Sequence, residues 1–178
     1  MKTRCFVVLL TVGLTGCTAQ PLDREEARSR LLESTEWARE ALLQGDWQRL
    51  ANLSHPQFLE ELGGREKYLQ HLARYFTEMQ RDQYRLADLH FSEPSELTEK
   101  EGEVYAVVPY RLVMIGPEGS EGIQDVYWIG VSEDRGHTWR FLAGAGLLSD
   151  RDLLKRFLPR FPDDLLLPPP QPPQWRKG

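Results

Sequence analysis

Cysteine is almost missing from this chain: Cys5 and Cys17 are the only two, and none follows residue 17. A disulfide framework and a thiolate metal site are thereby excluded from the body of the protein. Long apolar runs are missing as well. The longest, from Phe6 to Leu14, extends only about 15 Å as a helix against a hydrocarbon core of about 30 Å, too short for a permanent span. Basic residues give no excess, 22 against 27 acidic ones for a net charge of −5, which argues against a nucleic-acid partner. The four histidines, His55, His71, His90 and His137, show no paired spacing of the H-x-x-x-H kind, so no metal or other cofactor is expected. A G-x-S-x-G elbow, a phosphate-binding glycine loop and an internal repeat are all lacking too.

What the amino terminus does have is a three-part layout. Lys2 and Arg4 precede the apolar run, and the chain turns polar after Cys17, the arrangement of a secretory signal to be cleaved. Leu14-Thr15-Gly16-Cys17 resembles the lipobox of bacterial lipoproteins. That resemblance implies lipid on the Cys17 thiol, cleavage before it, and attachment to a membrane by several acyl chains. Residues 1–16 are then signal and residues 17–23 a lipidated cysteine with its tether. The mature chain keeps 20 basic and 27 acidic residues, for a charge of −7. Thr18 stands where aspartate resembles an inner-membrane retention signal, so the expected location in a Gram-negative envelope is the outer membrane's inner leaflet, facing the periplasm.

Beyond the tether, apolar residues recur at helical spacing from Arg24 to Gln44, with Gly45 just past the end. Asp46 can cap a second helix through Trp47, Leu50 and Leu53, interrupted at Ser54-His55-Pro56. Leu69, Leu72, Phe76 and Met79 mark a third helix over residues 65–80. The period then changes to two, predicting strands over 84–91, 104–115, 123–132 and 138–143. The fold class is α+β: three N-terminal helices packed on a curved antiparallel sheet of about four strands. A short helix is expected over 150–157, closing a domain of residues 24–158, and residues 159–178 read as a proline-rich, extended tail.

The longest strand is apolar on both faces, with Val104, Ala106, Val108, Tyr110, Leu112 and Met114 on one and Tyr105, Val107 and Val113 on the other. Something should cover the second face: another copy, the carboxy-terminal segment, or an envelope partner. Pro109 suggests an edge or a bulge in that strand.

The element order, with "GDW..L" leading into a short helix and "HPQFLEELGG" before the third, resembles the nuclear-transport-factor-two-like superfamily, which includes ketosteroid isomerases and SnoaL-type cyclases. It covers about residues 24–145 and implies a cone-shaped sheet with a pocket, a frame that hosts enzymes and binding modules alike. Ser132, Asp134, Gly136, Thr138 and Trp139 fill every fixed position of the Asp-box, S-x-D-x-G-x-T-W, a hairpin motif of sialidase propellers. One box in a single domain of this size excludes the propeller and leaves a structural turn. An isomerase-like site would need a carboxylate and a hydroxyl facing an apolar interior. Asp88, Asp125, Tyr110 and Tyr127 are on predicted strands, and Tyr110, Asp125 and Tyr127 are the possible pocket residues, with no catalytic residue singled out by spacing. The expectation is a non-catalytic, lipid-anchored binding module for a small apolar ligand or an envelope protein; the alternative is a small lipid-anchored enzyme of the SnoaL or isomerase type.

Overall fold

A computed structural model describes residues 21–143, 150–169 and 171–177; the signal, the lipobox and Cys17 lie outside them. Helix α1, Arg24–Gln44, opens under Asp23, whose carboxylate accepts the Glu25 and Glu26 amides at 3.1 and 3.0 Å, and stops at Gly45 in the left-handed region. Asp46 caps α2, Trp47–Leu53, by accepting the Arg49 amide at 3.0 Å. The expected three helices are in fact four. The interruption at Ser54-His55 lasts two residues, and Pro56 then opens α3, Pro56–Glu61, since its fixed φ and missing N–H cost nothing in a first turn. Helix α4 is Arg65–Arg81.

The strands are β1 Arg85–Phe91, β2 Thr98–Lys100, β3 Glu103–Ile115, β4 Glu121–Ser132, β5 Arg140–Ala143 and β6 Gln174–Arg176, with α5, Arg151–Phe157, between the last two. They form a strongly curled antiparallel sheet in the order β1-β3-β4-β5. The short β2 pairs with the beginning of β3 and β6 with the beginning of β4. Pro109 lies in the centre of the sheet, and the β3–β4 register runs past it without a shift. Its carbonyl accepts the Ser92 amide at 2.9 Å just where β1 ends. The missing N–H therefore points at the gap between β1 and β2, where no strand needs it. The one register shift is in β1, between Leu86 and Asp88.

Both faces of the sheet are covered. On the first, Val104, Ala106, Val108 and Trp128 are buried with Ala27, Leu31, Ala38 and Ala41 of α1 and with Leu50 and Leu53 of α2. On the second, Tyr105, Val107, Tyr127, Ile129 and Val131 are buried with Leu154 and Phe157 of α5 and then Leu158, Phe161 and Leu165. The cover over these residues is thus the chain's own carboxy-terminal segment. Phe161 is 1% exposed and Leu165 7%, so the core runs past residue 158 into the segment expected to be tail. Extended backbone follows from there. Its end is tied down by β6, where Trp175 lies over Gly122 and Gly116 so closely that a Cβ at either would come within 2.9 Å of the indole.

Candidate functional site

Two cavities among the described residues are lined by both β3 and β4. The larger, about 480 Å³, lies between the proline-rich segment and the ends of β3 and β4, with Pro168, Pro169 and Pro172 on one side and Arg111 and Asp125 on the other. Arg111 and Asp125 bond each other in two places, at 2.8 and 3.0 Å. Those bonds from the guanidinium hold the Asp125 carboxyl below its ordinary range. Both side chains are exposed, and each is the other's partner.

The smaller, about 190 Å³, lies between α4, the end of α1 and the first face of the sheet. Its position follows from the shape of α4, whose inner stripe of Leu72, Phe76 and Met79 is only half buried and whose one buried residue is Tyr68. Across from that stripe stand Leu89, Tyr110, Leu112, Met114 and Trp128. Aromatic packing fixes the walls: Phe76 stacks on Trp47 at 4.4 Å, and Tyr110 packs against Trp128 at 5.2 Å. Among the described residues, no carboxylate, histidine, lysine or arginine lines the space. Its polar side chains are tyrosines. The Tyr68 hydroxyl lies 3.3 Å from Ser54 Oγ, which itself donates to the Leu50 carbonyl at 3.0 Å. Burial raises Tyr68 against that hydrogen bond, and pushes Tyr110 up to about 12 against one from Trp128. Both therefore stay protonated at neutral pH.

Of the three possible pocket residues, Tyr110 and Asp125 both line the 480 Å³ cavity and Tyr127 does not. Tyr110 sits opposite Val126 in the β3–β4 ladder, so it shares its face with Val108 and Trp128 and joins the apolar cavity. Asp125 and Tyr127 point to the other face, Tyr127 into the second core and Asp125 to Arg111. Asp88 is likewise committed, accepting from Arg39 at 2.9 Å and from the Leu89 amide at 2.7 Å, and these bonds hold it below its ordinary range.

The Asp-box folds as a self-contained turn. Asp134 accepts from Ser132 Oγ at 2.8 Å, from the Thr138 amide at 2.8 Å and from Thr138 Oγ1 at 2.7 Å. Burial alone would raise this carboxyl, but the three hydrogen bonds outweigh it and hold it down. Ser132 Oγ also accepts the Gly136 amide at 2.7 Å. Trp139, 1% exposed, donates its indole N–H to the Ala27 carbonyl at 3.1 Å, joining the hairpin to the first turn of α1. Asp134→Ala removes three accepted bonds and is expected to cost roughly 1 to 2 kcal/mol. Thermal unfolding measures it, and an unchanged midpoint would show that the box does not stabilise the hairpin.

His55, which its spacing in the sequence does not single out, is the one buried histidine among the described residues. It is 6% exposed, its Nδ1 makes no hydrogen bond with any described residue, and Nε2 lies 3.7 Å from Glu133. Burial holds it below its ordinary 6.5, more than Glu133 and Glu103 raise it, while Arg140 lowers it further. A histidine buried neutral is protonated first in the unfolded chain. Its contribution to stability is complete above pH 6.5 and is lost as the pH falls from there toward the lowered folded value. The acid loss in melting temperature between pH 7 and 5 is expected to be smaller in His55→Gln than in the parent; equal losses would contradict this.

Among the described residues no helix is long and apolar enough to cross a membrane. Compared with protein-family models and with curated proteins, the chain matches none.

Proposed function

We propose that this protein is a lipid-anchored component of a bacterial envelope whose α+β domain holds a small apolar molecule between α4 and the sheet, without catalysing its conversion. The observation that carries this reading is the lining of the 190 Å³ cavity: aliphatic, aromatic and methionine side chains with no ionisable acid or base other than tyrosine. General acid–base work needs a group poised near neutral pH. The strand carboxylates, Asp88 and Asp125, are instead committed to Arg39 and Arg111. A dry apolar cavity of about 150 Å³ takes up a single benzene ring, so a molecule of ring size fits without rearrangement. The curled sheet with helices across one face supports reading the fold as the cone of the nuclear-transport-factor-two-like superfamily.

Titration of the full chain with toluene, followed by the methyl resonances of Met79 and Met114, tests the site. Saturable shifts that vanish in Leu112→Trp, which fills the space, are expected; shifts that persist in that variant would place the ligand elsewhere. Anchoring rests on the lipobox and is tested separately. Metabolic labelling with a fatty acid should mark the parent and not Cys17→Ser, because the thioether cannot form on oxygen; equal label on both would remove Cys17 as the attachment point. With Thr18 following, the labelled protein is expected in the outer membrane.

A further inference from the structure

A second chamber, also about 190 Å³ and lined by polar as well as apolar side chains, adjoins the first at the ends of α1 and α4 and the start of β1. The two share four walls, Leu42, Phe76, Met79 and Leu86, so these side chains are the partition between them. Phe76 is pinned by its stack on Trp47 and an edge contact to Tyr75 at 5.4 Å. Met79 has no ring to stack, and an unbranched thioether changes rotamer at little cost. Opening at Met79 turns two ring-sized spaces into one elongated space, a shape that suits a chain rather than a fused ring system.

The chambers differ in character. The first is walled almost wholly by hydrocarbon and aromatic rings, whereas the second also has Gln44, Gln80 and Arg85 among its lining residues. Arg85 is exposed and its guanidinium makes no hydrogen bond or ion pair with any described residue, while that of Arg81 is bound to Asp82 at 3.0 Å. A free guanidinium and two amides at one end, with hydrocarbon walls beyond, match a single-chain anionic amphiphile.

We infer that the cavity takes a linear acyl chain, threaded past Met79 toward Tyr110 and Trp128, with its anionic head held at Arg85. This rests on the binding reading above and adds the ligand class and its direction. The test is calorimetric titration of the full chain carrying Cys17→Ser, which has no acyl group of its own, with dodecanoate, dodecan-1-ol and toluene below their aggregation limits. Dodecanoate is expected to bind. Arg85→Glu should weaken dodecanoate roughly fivefold or more and leave dodecan-1-ol nearly unchanged, as expected for an exposed charge contact reversed in sign. Met79→Trp, which closes the passage between the chambers, should abolish dodecanoate binding. Toluene binding without dodecanoate binding, or an equal effect of Arg85→Glu on acid and alcohol, would overturn the acyl assignment and leave the apolar site standing. Failure of all three ligands to bind would overturn both. Arg85 is exposed, so its variant decides the question even where Met79→Trp does not fold.

Discussion

Gly136→Ala is expected to lower stability by about 3 to 5 kcal/mol, the largest effect of a methyl added at any of the described glycines. Two costs combine. Gly136 has φ +89°, a region that side chains with a Cβ rarely occupy, worth about 1 to 3 kcal/mol. Its Cβ would also sit 2.2 Å from the Ala27 Cβ and 2.9 Å from the Ala27 Cα, an overlap relieved only by pushing the hairpin off α1. The Trp139–Ala27 hydrogen bond crosses the same contact, so the displacement weakens a third interaction. At about 2 to 4 °C per kcal/mol for a domain of this size, the midpoint of thermal unfolding should fall by roughly 10 °C. Ala27→Gly in the same chain removes one of the clashing methyls and should recover part of the loss. A midpoint within about 2 °C of the parent would show that the hairpin does not bear on α1 as drawn.

That contact illustrates what could be read from the residues alone and what could not. The Asp-box spelling gave the turn, because Asp134, Gly136 and Thr138 act within seven residues of one another and need no distant partner. It gave no hint of Ala27, more than a hundred residues earlier in the chain. The same division holds for the helices. Capping by Asp23, Gly45 and Asp46 is local and legible, whereas Pro56 reads as part of an interruption and instead opens a new helix three residues after Leu53. The alternation along β3 sorted its residues correctly onto two faces. It could not assign Tyr110 and Asp125 to opposite faces, because that depends on the β3–β4 register, and a one-residue slip exchanges the faces. The apolar cavity was not legible, since its walls come from α1, α2, α4 and three strands and the gap reflects how far α4 stands off the sheet. Proline hid the far part of the second face's cover, beyond the helix whose Leu154 and Phe157 begin it. In a segment where Pro159, Pro162 and Pro168 advertise extended chain, Phe161 and Leu165 are the residues that matter, and they follow neither a helical nor a strand period.

Truncation after Leu158 is accordingly expected to be the most damaging deletion. It removes Phe161, which packs edge-on against Tyr105 at 5.7 Å, together with Leu165, and uncovers Tyr105, Val107 and Tyr127 on the second face. Loss of a buried phenylalanine costs about 3 to 5 kcal/mol and a buried leucine about 2 to 5. A domain's whole stability is only about 5 to 15 kcal/mol, so the shortened chain should be largely unfolded or associate through the exposed face. Truncation after Leu167 keeps Phe161 and Leu165 and removes only the proline run and β6, and should remain folded with a loss of about 1 to 2 kcal/mol. Val107→Glu attacks the same contact from the sheet side, placing a carboxylate where the side chain is 2% exposed, and should destabilise the chain without changing its mass in solution. Sedimentation and thermal unfolding of the three variants decide between covers. A stable, monomeric chain ending at Leu158 would mean that the segment beyond it does not bury the face, and a dimeric parent split by Val107→Glu would assign that role to a second copy.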